Sequence, residues 1–88
     1  MAPTIGAQVA YAGALAQSGN PLAALAALDS LEPSRVAAHQ PYWATRAFAL
    51  SAVMRTDEAA DAYQRAAGLT ERSAIRDWLL QQRRALMT

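Results

Sequence analysis

Residues 56–69 read TDEAADAYQRAAGL, and their polarity follows the 3.6-residue period of an amphipathic helix. One side carries the small and apolar residues Ala59, Ala62, Tyr63, Ala66, Ala67 and Leu69. The other side carries the polar residues Asp57, Glu58, Asp61, Gln64 and Arg65. Acids in a first helical turn suit the helix dipole, and threonine is a good N-cap. We therefore predict a helix that Thr56 caps and Gly68 closes.

The residues immediately upstream predict a second, more apolar helix. Gln40-Pro41 opens this helix, because proline suits the first helical turn, and it runs to about Arg55. One broad face carries Tyr42, Trp43, Leu50, Val53 and Met54, and the opposite face carries Ala44, Phe48 and Ala52. A helix that is apolar nearly all round is expected to be buried on both sides.

Start and stop signals predict three more helices and a short turn. A first helix runs over Thr4–Ser18, and Gly19 ends it with a left-handed C-cap. A second runs over Pro21–Leu31, and a short turn covers Arg35–His39. The last helix runs from about Glu71 to Met87 with Thr70 as its cap. Its apolar stripe consists of Ile75, Trp78, Leu79 and Leu86, so Trp78 is predicted to lie in the core.

The first two of these helices resemble the next two at a shift of 35 residues. At that shift Leu15 aligns with Leu50, and Ala24 aligns with Ala59. A helical hairpin that repeats about every 34 residues is typical of tetratricopeptide repeats. We predict one all-α domain over residues 1–88, with about five helices. Its parts are two tetratricopeptide-like hairpins, about 4–31 and 41–69, and a capping helix, about 71–87.

Composition excludes several classes of function. A chain of 88 residues forms one domain, and its 23 alanines favour helices. Eight arginines against seven acids give a net charge of +1, too small to indicate direct nucleic-acid binding. The absence of cysteine excludes disulfides and thiolate metal sites. We find no signal peptide and no apolar run long enough for a membrane span, and we expect a soluble, cytoplasmic protein without a cofactor.

Four runs of the sequence carry a family resemblance: Thr4–Ala10, Leu25–Asp29, Pro41–Leu50 and Arg55–Ala66. They resemble the C-terminal tetratricopeptide-like extension of a group of bacterial extracytoplasmic-function (ECF) sigma factors. The resemblance implies a regulatory module that contacts sigma-factor domains or RNA polymerase and modulates transcription initiation. Because the chain contains no promoter-reading domain, we expect no promoter recognition by the chain itself.

Arg46 is the most informative candidate site residue. It falls on the apolar face of its helix, and a guanidinium there must pair with an acid or reach the rim. One interpretation is that Arg46 binds a partner carboxylate in a groove between the first and third helices. We favour an internal ion pair with Asp29 or Asp61, because buried charges are normally paired.

Three further residues are candidates for protein binding. Gln8 and Tyr11, near the start of the first helix, are predicted to line a shallow concave groove. Trp43 is a candidate interface anchor, since tryptophan is enriched in binding hot spots. Its place on an apolar stripe at helical spacing nevertheless favours a core position.

The other polar residues do not indicate chemistry. His39 is the only histidine and is predicted to lie in a loop, whereas metal ligands come in sets. The carboxylates of residues 56–69 lie on the polar face of a helix, and the arginines of the last helix are most simply a solvated face. We therefore expect no enzyme and no metal site.

Three functions fit these observations. The leading hypothesis is a protein–protein interaction module, specifically the regulatory extension of an ECF sigma factor. The second is a self-associating scaffold that forms a homodimer through the uncovered apolar face of the first helix. The third is nucleic-acid binding through the arginines of the last helix, which the small net charge disfavours.

Overall fold

The computed structural model describes residues 4–87, and every regular element in that range is a helix. The six helices are α1 (Ile5–Gln17), α2 (Pro21–Asp29), α3 (Pro33–Val36), α4 (Gln40–Ala52), α5 (Thr56–Leu69) and α6 (Ser73–Leu86). The all-α prediction is thus confirmed. The helix beyond the predicted five is α3, which forms near the position where only a short turn was expected.

The helices pack as two hairpins followed by a single helix. α1 packs against α2, and α4 packs against α5. α4 also contacts both helices of the first hairpin, and α6 packs against α5. The result is an elongated molecule of 42 × 28 × 20 Å with α4 at its centre. This central position explains why the sequence of α4 is apolar on most of its surface.

Alanine occupies many of the points where helices meet. The alanines that are fully enclosed are Ala24, Ala47, Ala49, Ala59 and Ala66. The largest fully buried side chains are Leu28, Leu50 and Leu79. Because alanine is small, adjacent helices approach closely, and one leucine per contact fills the remaining space at the density of a protein interior.

Each hairpin turn is closed by the same backbone hydrogen bond. The Asn20 N–H donates to the Leu15 carbonyl over 2.9 Å. The Arg55 N–H donates to the Leu50 carbonyl over 3.0 Å, with donor and acceptor both 35 residues further along. Bonds of this kind satisfy carbonyls that the end of a helix leaves free. The self-similarity of the sequence is therefore matched in the backbone of the two turns.

The residue that reverses the chain is also placed equivalently in the two turns. Gly19 has φ +92°, which confirms that it ends the first helix with a left-handed residue. Met54 lies 35 residues later and has φ +63°. Glycine adopts this conformation without steric cost, whereas a methionine is strained there.

Local capping predictions succeed at the first helix and fail at α5. The Thr4 hydroxyl accepts a hydrogen bond from the Ala7 N–H at 3.1 Å, so Thr4 caps α1 as predicted. Thr56 does not cap α5, because it is already helical and Arg55 is the N-cap residue. The turn that Met54 makes sets the start of α5 one residue earlier than the side-chain signal indicates.

The junction between α5 and α6 also differs from the prediction. α5 continues through Gly68 to Leu69, so Gly68 does not end the helix. α6 begins at Ser73 and not at Glu71. Thr70 bonds locally instead of capping α6, because its hydroxyl accepts from the Arg72 N–H at 3.3 Å. A short extended link therefore separates the two helices.

Two aromatic residues predicted to be covered are open to solvent. The Trp78 side chain is 54% exposed, so its prediction as a core residue is wrong, and the adjacent Leu79 is the buried residue of α6. Phe48 is 43% exposed, so α4 is not buried all round. α6 has one main neighbour, α5, and one neighbour covers only a narrow strip of an apolar stripe.

Candidate protein-binding surfaces

A groove runs along one side of the molecule where α1, α4 and α6 face one another. Its larger opening, about 380 Å³, is lined by Gly13, Gln17, Ala44, Thr45, Phe48, Tyr63, Trp78 and Gln82. A second opening of about 440 Å³ shares Gly13, Gln17 and Thr45 and extends to Gly6, Val9, Ala10, Ala14, His39 and Pro41. Together these openings are called the groove below.

The separation of α6 from α4 creates the open part of the groove. α6 is held mainly by α5, so the space beside Phe48 is left unfilled. Phe48 and Trp78 project from the two sides, and the buried Tyr63 lies at the base. Burial raises the pKa of the Tyr63 hydroxyl, which keeps it neutral and available for hydrogen bonding.

The groove differs from the rest of the surface in its charge. None of the described residues that line it is Arg, Asp or Glu, although the chain has eight arginines and seven acids. Exposed aromatic rings offer apolar contact area, and the amides of Gln17 and Gln82 can donate and accept hydrogen bonds. This combination suits an uncharged peptide segment with an apolar side chain as its anchor.

A second, charged cleft lies on the opposite side of α4. It measures about 500 Å³ and is lined by Trp43, Arg46, Leu50, Asp57, Glu58, Asp61, Ala62 and Arg65. The Arg46 Nη1 lies 2.8 Å from the Asp29 Oδ1, and the Arg65 Nε lies 2.9 Å from the Asp61 Oδ2. The predicted internal ion pair of Arg46 is thus confirmed, with Asp29 as its partner.

The charges of this cleft pair with one another. Arg55 binds Glu58 through two hydrogen bonds of 3.0 and 2.6 Å, and these hold the pKa of Glu58 below its usual value. The Arg65 guanidinium lies 4.9 Å from the centre of the Trp43 ring, a cation–π contact. The Trp43 Nε1 donates to the Ala37 carbonyl at 3.0 Å. These contacts fix the cleft internally without a bound partner.

A third, apolar cleft lies between α1 and α2 and holds the other two predicted residues. Its volume is about 320 Å³, and it is lined by Ala7, Gln8, Tyr11, Ala27 and Ser30. Tyr11 is 62% exposed. The structure therefore places Gln8 beside Tyr11 and Trp43 beside Arg46, but it does not bring these pairs together. Neither pair lies in the groove between α1 and α4 that the sequence analysis expected them to line.

Sequence reasoning missed the residues that do line the groove. Phe48 and Trp78 were assigned to buried faces, and Gln17 and Gln82 were not singled out. One usable signal was present: Phe48 lies opposite the broad apolar face of its own helix. A large aromatic residue on the far side of an already apolar helix is a candidate for a binding surface.

The other chemical features remain local. Across the described part of the chain, no group of three His, Asp or Glu side chains is placed to hold a metal ion. Arg76 of the last helix donates to the Thr70 carbonyl at 3.0 Å and so fixes the link before α6. Within residues 4–87, none of the helices combines the length and apolar composition needed to span a bilayer.

Comparison with known proteins adds no assignment to these surfaces. No protein-family model, curated protein or solved structure matches this chain.

Proposed function

We propose that the chain is a protein-binding module whose groove holds an uncharged segment of another protein. The observation that carries the proposal is the exposure of Phe48 and Trp78 on the two walls of a groove without a charged lining residue. Aromatic residues that stay half open on a small domain are typical of binding surfaces. Binding, and not catalysis, accounts for a groove lined by aromatic, amide and small side chains.

The arrangement of the helices supports a scaffold of the tetratricopeptide type. The two hairpins share the turn hydrogen bonds that recur after 35 residues, and α4 stacks on both helices of the first hairpin. Stacked helical hairpins present concave surfaces formed in advance of binding. A preformed groove loses little conformational entropy when a partner segment enters, which favours binding with a small contact area.

The partner we propose is a sigma-factor domain or RNA polymerase, with a regulatory effect on transcription initiation. The support for this finer assignment is the resemblance of residues 41–50 and 55–66 to the C-terminal extension of ECF sigma factors. In that setting the groove would bind an uncharged loop or helix of the sigma body and so hold the extension against it.

The test uses the whole chain as bait with purified ECF sigma-factor domains and RNA polymerase core as prey. We expect the wild-type chain to retain one of them, and the double variant Phe48→Ala/Trp78→Ala to lose at least about 90% of the retained material, as expected for hot-spot residues. The matched control, Gln64→Ala, alters an exposed residue of α5 and should bind like the wild type.

Two results would contradict different parts of the proposal. Absence of both prey proteins from the bound fraction would remove the transcriptional assignment. Equal retention by the wild type and the double variant would remove the groove as the binding site. Circular dichroism of each variant excludes unfolding as the cause of a lost interaction, since both aromatic residues are half exposed.

A further inference from the structure

The charged cleft and the apolar cleft occupy the same position in the two hairpins. Adding 35 converts Gln8 to Trp43 and Tyr11 to Arg46, the residues of the first helix in each cleft. The same shift converts Ala27 to Ala62 and Ser30 to Arg65, the residues of the second helix in each cleft. The chain therefore contains two versions of one surface, and they can be compared directly.

In the second hairpin, this surface holds the end of the preceding helix and the turn that follows. Arg46 pairs with Asp29, the last residue of α2. Trp43 donates to the carbonyl of Ala37, which directly follows α3. Both contacts come from residues whose counterparts in the first hairpin are Gln8 and Tyr11. In the first hairpin, neither of these side chains makes a hydrogen bond to another residue of the described chain, and Tyr11 is exposed.

The side chains of the two versions also differ in polarity. On the second helix of the hairpin, Leu22, Ala23 and Ala26 stand where α5 has Asp57, Glu58 and Asp61. All three are exposed, and Leu22 is 70% exposed. A single exposed leucine is ordinary. An apolar version of a surface whose other copy is charged, together with an exposed tyrosine, indicates a surface that is covered in use.

We propose that this end face of the first hairpin, formed by Ala7, Gln8, Tyr11, Leu22 and Ala26, binds the C-terminal end of an amphipathic helix from another protein. The bound helix lies as the end of α2 lies on α4. Gln8 donates from its amide to a free carbonyl of the last turn, as Trp43 does to Ala37. The position equivalent to Asp29 is apolar in the bound helix, because Tyr11 has replaced the arginine that would pair with an acid.

A second copy of this chain is a poorer occupant than a foreign helix. The helices equivalent to the occupant are α2 and α5, and their apolar faces are already buried in the core through Leu25, Leu28, Tyr63 and Ala66. The remaining helix end, that of α6, carries Arg83 and Arg84 in its last turn. An arginine pair against a face without acids would lose solvation and gain no ion pair. The end face lies apart from the groove, so this inference does not depend on the proposed function.

The experiment uses a peptide of residues 20–38 of this chain as the probe, because α4 binds that segment internally. Two versions are titrated into the ¹⁵N-labelled whole chain: the natural sequence and the variant Asp29→Leu. We expect saturable shifts at the amides of Ala7, Gln8, Tyr11 and Leu22, and about tenfold tighter binding of the Asp29→Leu peptide, since a desolvated carboxylate without a partner is costly.

Charge reversal supplies the matched control. The variant Tyr11→Arg recreates the residue found at position 46, so it should bind the natural Asp29 peptide more tightly than the Asp29→Leu peptide. Trp78→Ala alters the groove alone and should leave both affinities unchanged. Tyr11 and Trp78 are exposed, so both variants keep the fold, which circular dichroism checks.

Three outcomes would overturn the inference. The first is the absence of saturable shifts, or their location in the groove. The second is an unchanged peptide preference in the Tyr11→Arg variant. The third is a dimer in sedimentation experiments that Leu22→Asp dissociates, which would assign the end face to a second copy. The expected result is a monomer at all concentrations measured.

Discussion

Arg46 shows how one residue can be predicted from the cost of burying charge. Its side chain is 20% exposed, whereas that of its partner Asp29 is 63% exposed. The sequence placed a guanidinium on an apolar face, and such a group requires a partner within reach. Two acids, Asp29 and Asp61, were compatible with that requirement. The structure selects Asp29 because Asp61 pairs with Arg65 one helical turn away.

Arg46 should contribute to stability more through its stem than through its charge. We expect Arg46→Ala to lower the free energy of unfolding by about 1 kcal/mol, because the aliphatic part of the side chain packs in the cleft. Asp29→Ala should lower it by less than about 0.5 kcal/mol, because exposed ion pairs contribute little. Urea denaturation followed by circular dichroism measures both. Arg46→Met, which keeps the stem, is the control, and equal losses for Arg46→Ala and Asp29→Ala would show that the ion pair dominates.

Trp78 shows what residue patterns do not contain. Helical spacing correctly places it on the apolar stripe of α6 beside Leu79, yet only Leu79 is enclosed. Periodicity identifies which residues share a face, but the width of the covered strip depends on how many helices pack there. For α6 the main neighbour is α5 alone. The groove was therefore not predictable from the sequence of α6 itself.

At the scale of elements, the hairpin was more predictable than its ends. The 35-residue self-similarity placed the helices of both hairpins correctly, because apolar spacing and turn residues agree there. Thr56 and Thr70 were wrong as caps, since the position of a helix start follows the backbone of the preceding turn. At Met54 that turn carries no glycine signal.

The two hairpin turns provide a matched pair of substitutions. Met54→Gly should raise the free energy of unfolding by about 0.5–1 kcal/mol, because glycine relieves the left-handed strain and the exposed methionine packs little. Gly19→Ala should lower it by about 1 kcal/mol through strain alone, since a methyl group there would meet no atom within 4 Å. Thermal and urea unfolding give both values. A Met54→Gly variant less stable than the wild type would mean that the methionine side chain stabilises the turn.

At the scale of the whole molecule, the helices differ in how strongly they are held. α4 contacts three other helices, whereas α6 is joined mainly to α5 and has Leu79 as its buried residue. The open groove is a direct consequence of this one-sided attachment. Recognition at the groove and weak attachment of α6 are thus two aspects of the same packing, because the wall that carries Trp78 is also the least anchored element.

Amide hydrogen exchange should reveal this gradient. We expect the amides of α4 and the central turns of α5 to exchange most slowly, by global unfolding, and those of α6 to exchange through a local opening of lower free energy. Leu79→Ala removes the buried anchor of α6, a type of change that costs about 2–5 kcal/mol in a core. It should therefore accelerate exchange in α6 far more than in α1 and α2. Phe48→Ala, which alters the opposite wall of the groove, is the control and should leave α6 protection nearly unchanged. If Leu79→Ala instead accelerated exchange equally in all helices, the molecule would unfold as one cooperative unit, and α6 would not be a separately mobile wall of the groove.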